Sequence, residues 1–100
     1  MSVESVTRSI EARLNDFAGL NARVAFDLGA DGVIAIDATA GPPALSHEAG
    51  EADCTIRVSA DNLAKLIDGS LNPMMAYTLG KLKIDGSMGI AMKVAALLEE

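Results

Sequence analysis

A single histidine, a single cysteine and a hairpin bearing two aspartates are the residues of this 100-residue chain best suited to chemistry. Acid–base or nucleophilic catalysis needs such groups within hydrogen-bond reach of one another. His47 falls in ALSHE, residues 44–48, which reads as a weak edge strand. No serine or cysteine stands at a spacing that would make a triad with it. Cys54 alternates with Asp53 and Thr55 and shares its inward side with Ile56 and Val58. A thiol buried among aliphatic groups stays protonated and inert. Asp27 and Asp37 lie on the two arms of one hairpin and either pair across it or face water. Gly80, Gly86 and Gly89 do not follow phosphate-loop spacing, and read as a helix cap, a turn and a close-packing position. No His, Cys, Asp and Glu grouping has metal-ligand spacing. The chain is therefore expected to carry no catalytic centre, no metal and no cofactor, and to be a binder rather than an enzyme.

The elements that would position a site follow from periodicity. Val3, Val6, Ile10, Leu14 and Phe17 recur at helical spacing. They predict an amphipathic helix of about four turns, capped by Ser2 and closed by Gly19. The period then changes to two. Val24, Phe26 and Leu28 alternate with polar neighbours, residues 29–32 turn, and VIAIDA at 33–38 returns as the hairpin partner. The prolines at 42 and 43 suit an edge position for the third strand. Residues 49–51 turn again, and DCTIRVS at 53–59 makes a fourth strand. Ser59 caps a helix that Gly69 ends, and Asn72-Pro73 opens another that Gly80 ends, with proline at the first helical position. LKID at 82–85 is a short fifth strand, and Ser87 caps the last helix. The fold class expected is α+β, as one domain over residues 1–100. Its five-stranded, mostly antiparallel meander would be covered by helices.

Composition narrows the partners. Half of the residues are apolar but only three, Phe17, Phe26 and Tyr77, are aromatic, and there are five methionines. Net charge is −6 with no basic run, which argues against nucleic acid. One cysteine excludes an internal disulfide. No segment resembles a signal peptide or a bilayer span, so a cytoplasmic location is expected.

The last helix is out of keeping with a small acidic domain. Gly89, Lys93, Ala96 and Glu100 make one stripe, and everything else from Met88 to Leu98 is apolar. A surface helix needs an apolar arc of a little over 100°. This one has two surfaces to cover, one by the sheet and one by a helix, a partner subunit or a bound apolar molecule. Met74, Met75, Ala76, Tyr77 and Leu79 repeat the habit. Methionine lines adaptable apolar cavities well but also fills gaps in ordinary cores. Periodicity alone leaves both readings open and leans to the core.

The tracts DCTI, NP, GKLKIDG and MGIAMK, within residues 52–59 and 71–97, resemble the sterol carrier protein-2 domain family. They span nearly half the chain in the family's order, while the N-terminal half agrees only in its elements. The resemblance implies a five-stranded sheet with helices over it, an apolar tunnel between, and non-catalytic binding or transfer of fatty acids, acyl-CoA, phospholipids, sterols or isoprenoids. Carried over by matching position, it makes Met74, Met75, Leu79, Leu82, Ile84, Met88, Ile90 and Met92 lining residues. The bottom-up pattern adds Phe17, Phe26 and Ile36. The partners expected are a lipid or fatty acyl ligand and a transient membrane contact, with the protein a monomer or weak homodimer. The competing expectation is an accessory module whose last helix dimerises or docks on a lipid-pathway enzyme. The chain stops just past that helix, without the family's longer tail or peroxisomal address, which suggests a free-standing, bacterial-type member.

Overall fold

The computed structural model describes residues 3–39, 41–48 and 50–98. Ser2, Ala49 and Glu100, assigned above to a cap, a turn and a helix stripe, lie outside them. The chain opens with α1 (Val3–Glu11), which presses Val6 and Ile10 inward and keeps Glu4 and Arg8 on its wet side. The four-turn helix expected here stops early. After Glu11 the backbone tightens, and Leu14–Phe17 form a separate 3-10 turn. Asn15 and Asp16 are poor formers of helix interiors. The tighter turn delivers Phe17, completely buried, to the core.

Strands β1 (Arg23–Asp27) and β2 (Val33–Asp37) pair antiparallel around a 3-10 turn at Gly29–Asp31, with Phe26 opposite Ile34. The short β3 (Ala44–Ser46) adds to β2. The next strand lies beyond both β2 and β1 in the sheet order. β4 (Cys54–Val58) joins the free side of β1 in parallel. This departs from the simple meander expected above. The sheet is mixed, in the order β3-β2-β1-β4-β5, with one parallel pair among antiparallel ones. Alternation fixes which face a residue occupies but not which neighbour a strand selects.

Helix α2 (Ala60–Asp68) is capped by the Ser59 hydroxyl, which accepts from the Asn62 N–H at 3.1 Å, and ends in left-handed Gly69. Helix α3 (Pro73–Thr78), strand β5 (Leu82–Gly86) and helix α4 (Met88–Leu98) complete the chain. β5 is an edge strand, paired antiparallel to β4 alone.

One face of the sheet and the helices share a core that includes Ile10, Phe17, Phe26, Ile34, Ile56, Leu63 and Val94. The other face is charged and organised by ion pairs. Arg23 meets Asp37 at 3.2 Å, and Arg57 meets Asp85 at 3.0 Å with Asp27 at 4.0 Å. Asp27 and Asp37 are thus partners of arginines and not of each other. No helix among the described residues is long and apolar enough to cross a membrane.

Candidate functional site

The site is built where α3, β5 and α4 meet. Six residues are too few to hold a helix by backbone bonds alone, so α3 depends on its ends. The Asn72 side chain accepts from the N–H groups of Met74 (2.9 Å) and Met75 (3.2 Å). Pro73 occupies the first turn, where its missing N–H is no loss. At the far end the Lys81 N–H donates to the Ala76 carbonyl at 2.9 Å. Only Pro73 and Ala76 of this helix are buried. Period 3.6 then divides the rest. Met74 and Tyr77 turn one way, and Met75 and Leu79 the other.

β5 supplies the floor with Leu82 and Ile84, and the partner of Ile84 across the ladder, Ile56, extends it. The chain must then reverse sharply into α4. Gly86 does this at φ +98°, where a Cβ would sit 2.5 Å from the Asp53 carbonyl oxygen. That oxygen accepts from the Ser87 N–H at 2.9 Å, and the Ser87 hydroxyl accepts from the Ile90 N–H at 3.2 Å, capping α4. The cap fixes the rotation of α4. Ala91, Val94 and Leu98 go into the core, and Met88, Met92 and Ala95 form the opposite wall of the site.

Between these walls lies a cleft of about 240 Å³, lined almost wholly by carbon and sulfur. Met74, Leu82, Ile84, Met88 and Met92, all expected from the sequence, meet there with Tyr77, Ile56, Pro73, Ala91 and Ala95, which were not. Met88 and Met92 are nearly half exposed although the fold has buried the far side of the same helix. The other expected residues are elsewhere. Met75 and Leu79 stand in solvent on the outer side of α3. Ile90 is half-buried against the core. Phe17 and Phe26 are core residues with no exposed surface. Ile36 is buried and borders a different groove, of about 260 Å³, with Arg23, Asp37, Glu48 and Glu51.

The residues missed were within reach of the same reasoning. Ile56 follows from pairing the fourth and fifth strands, and Ala91 and Ala95 follow from the row begun by Met88 and Met92. Tyr77 lies three residues after Met74, on the same helical face.

The groups first suspected of chemistry are placed apart from this cleft. Cys54 is fully buried, and burial together with the charge of Asp85 raises its thiol above the ordinary value. His47 is exposed, with Nδ1 3.2 Å from the Val33 carbonyl oxygen. Among the described residues no three His, Cys, Asp or Glu side chains gather as metal ligands.

Sterol carrier protein 2 of Bos taurus is 45% identical over 53 residues, covering 53% of this chain and 10% of that protein. The chain thus spans about a tenth of the length of that relative. Among solved structures, the sterol carrier protein domain 2 of Helicoverpa armigera superposes with a TM-score of 0.72 at 31% identity, over 95% of this chain and 83% of that one. Palmitated SCP2L2 from Aedes aegypti gives a TM-score of 0.72 at 21% identity over 98% of this chain and 95% of that one, a likeness of fold. The bacterial-type expectation is not borne out by these relatives, which come from cattle and insects. The model of the SCP-2 sterol transfer family matches residues 3–99, and with the sheet order and helix placement described above it shows that the chain belongs to that family.

Proposed function

We propose that the protein carries one lipid by its hydrocarbon tail, without catalysis, in the cleft between α3, β5 and α4. The observation that supports this most directly is the half-exposed methionine wall of Met74, Met88 and Met92 around an apolar cleft. Family membership points the same way, and the palmitated fold neighbour is a protein of this fold with a fatty acyl group.

Size decides how much of a ligand the cleft holds. At about 240 Å³ it lies just below the roughly 300 Å³ at which small-molecule pockets begin. A longer chain is admitted as the unbranched methionines rotate aside, opening the cleft toward the tunnel that the family resemblance implies. Each methylene moved out of water contributes about 0.8 kcal/mol, so ten give about 8 kcal/mol before ordering costs. Affinity in the micromolar range follows. Selectivity for chain length is loose, since one methylene discriminates weakly. The aliphatic wall favours flexible acyl chains over flat ring systems.

Binding of a fluorescent fatty acid tests the proposal. A carboxylate in the cleft has no partner to offset its desolvation, so Met88→Glu and Met92→Glu each weaken binding at least about tenfold. Both side chains are half exposed, so both variants keep the native circular dichroism. Unchanged binding in the two folded variants removes the cleft from the function. A wild-type protein that is a tight dimer by light scattering and takes up no fatty acid supports the accessory-module reading instead.

A further inference from the structure

We infer that the corner formed by α3 and its lysine-rich surroundings is a docking surface for an anionic lipid bilayer. The inference rests on the lipid-carrying reading and names the surface from which the cleft is filled. Two distributions carry it.

The first is apolar. Among the described residues the exposed large apolar side chains are Met74, Met75, Tyr77, Leu79, Met88 and Met92, all on α3, its C-terminal end and α4. Four of them line the cleft. Met75 and Leu79 do not, yet they are 58% and 60% exposed. A cleft explains the first group and leaves these two without a use. Clustered exposed apolar side chains of this kind mark an interaction surface.

The second is electrostatic. All four lysines of the chain fall within residues 65–93, against two aspartates, which makes that stretch +2 in a protein of −6. Lys81, Lys83 and Lys93 are exposed. No described carboxylate forms an ion pair with them, although Lys83 is the cross-strand neighbour of Arg57 on the outer face of the sheet, where Arg57 is held by Asp85. Lys81 is two residues from Leu79 and tied by its N–H to α3. An apolar tip with the unpaired Lys81 beside it complements a surface of anionic headgroups over acyl chains. A second copy of the chain would set the same positive corner against itself. Docking through Met75 and Leu79 sets the outer side of α3, whose other side walls the cleft, against the acyl layer.

Co-sedimentation with vesicles tests this, using phosphatidylcholine alone and phosphatidylcholine with phosphatidylserine, at low and physiological salt. The wild-type protein is expected to bind the anionic vesicles in preference, and less as salt screens the contact. The double variant Met75→Glu, Leu79→Glu is expected to lose at least about tenfold in vesicle binding while keeping its fatty acid affinity, because neither side chain lines the cleft. Lys81→Gln is expected to weaken binding about fivefold, and Lys83→Gln, on the outer face of the sheet, by less. Equal binding by wild type and variants, no preference for anionic vesicles, or a dimer that disappears in the Met75, Leu79 variant would overturn the proposal. A protein that binds anionic vesicles and no fatty acid supports the docking surface while the cleft reading fails. A protein that takes up fatty acid and ignores both vesicles overturns docking alone.

Discussion

At the scale of single residues, position relative to the helical period separates use from exposure. Met74 and Met75 are neighbours of identical type, and only the first faces the cleft. Charged residues divide as clearly. Asp37 is held below the ordinary carboxylate value, first by the Thr39 hydroxyl and backbone N–H and then by Arg23. Asp68 is lowered by the Ser70 side chain and N–H, with Lys65 assisting. A carboxyl whose folded value is depressed stabilises fully above its unfolded value, and the contribution is lost as pH falls through the folded one. Both groups are exposed, so the effect is small. Asp37→Asn and Asp68→Asn are expected to lower the thermal midpoint slightly near neutrality and not at all in strong acid. A pH series of melting curves checks this, and a deficit that persists in strong acid would contradict the assignment.

At the scale of elements, the sequence was most legible where period and punctuation agreed. Ser59 and Ser87 cap the helices expected of them, and Asn72 caps the helix expected to open at Asn72-Pro73, because a side-chain oxygen before an apolar run has one natural partner, the free N–H groups of the first turn. The first helix was over-extended because Leu14 and Phe17 keep the apolar spacing in a 3-10 turn as in an α-helix. The parallel pairing of β1 with β4 was not legible, since it depends on a crossover and not on either strand's own pattern. The cleft was half legible. Resemblance named a segment, but a list by segment cannot tell the two faces of α3 apart. Phe17, Phe26 and Ile36 share the inner face of the sheet's core with the cleft floor, and that shared face is all their spacing could reveal. The junction of β5 and α4 carries a sharper prediction. Gly86→Ala strains a positive φ and forces its Cβ against Asp53, costing about 1–3 kcal/mol. Urea unfolding should register that loss. Fatty acid binding should weaken with it, since the Ser87 to Asp53 bond sets where the Met88 and Met92 wall stands. An alanine variant of full stability would show that the turn is not constrained as described.

At the scale of the molecule, stability is unevenly shared. The sheet and α1, α2 and α4 are joined through one core, whereas α3 touches it through Pro73 and Ala76. Regions with so few buried contacts open locally at low free energy. Hydrogen exchange is expected to find the amides of Ala76, Tyr77 and Thr78 faster than that of Ile56 in the interior strand β4, and slowed selectively when a fatty acid is added. Uniform protection across α3 and β4 would deny α3 any separate motion.

The weak anchoring of α3 sets a tempo for the protein. A cargo held behind a rigid wall leaves only when the fold loosens, and delivery is then as slow as unfolding. In the proposed carrier one short segment, held by the Asn72 carboxamide, by Pro73 and Ala76 and by the Lys81 N–H, is what swings aside. On the lipid-carrying proposal, release is quick while the remaining architecture stays intact, and so small a protein exchanges its burden many times without risking its own collapse.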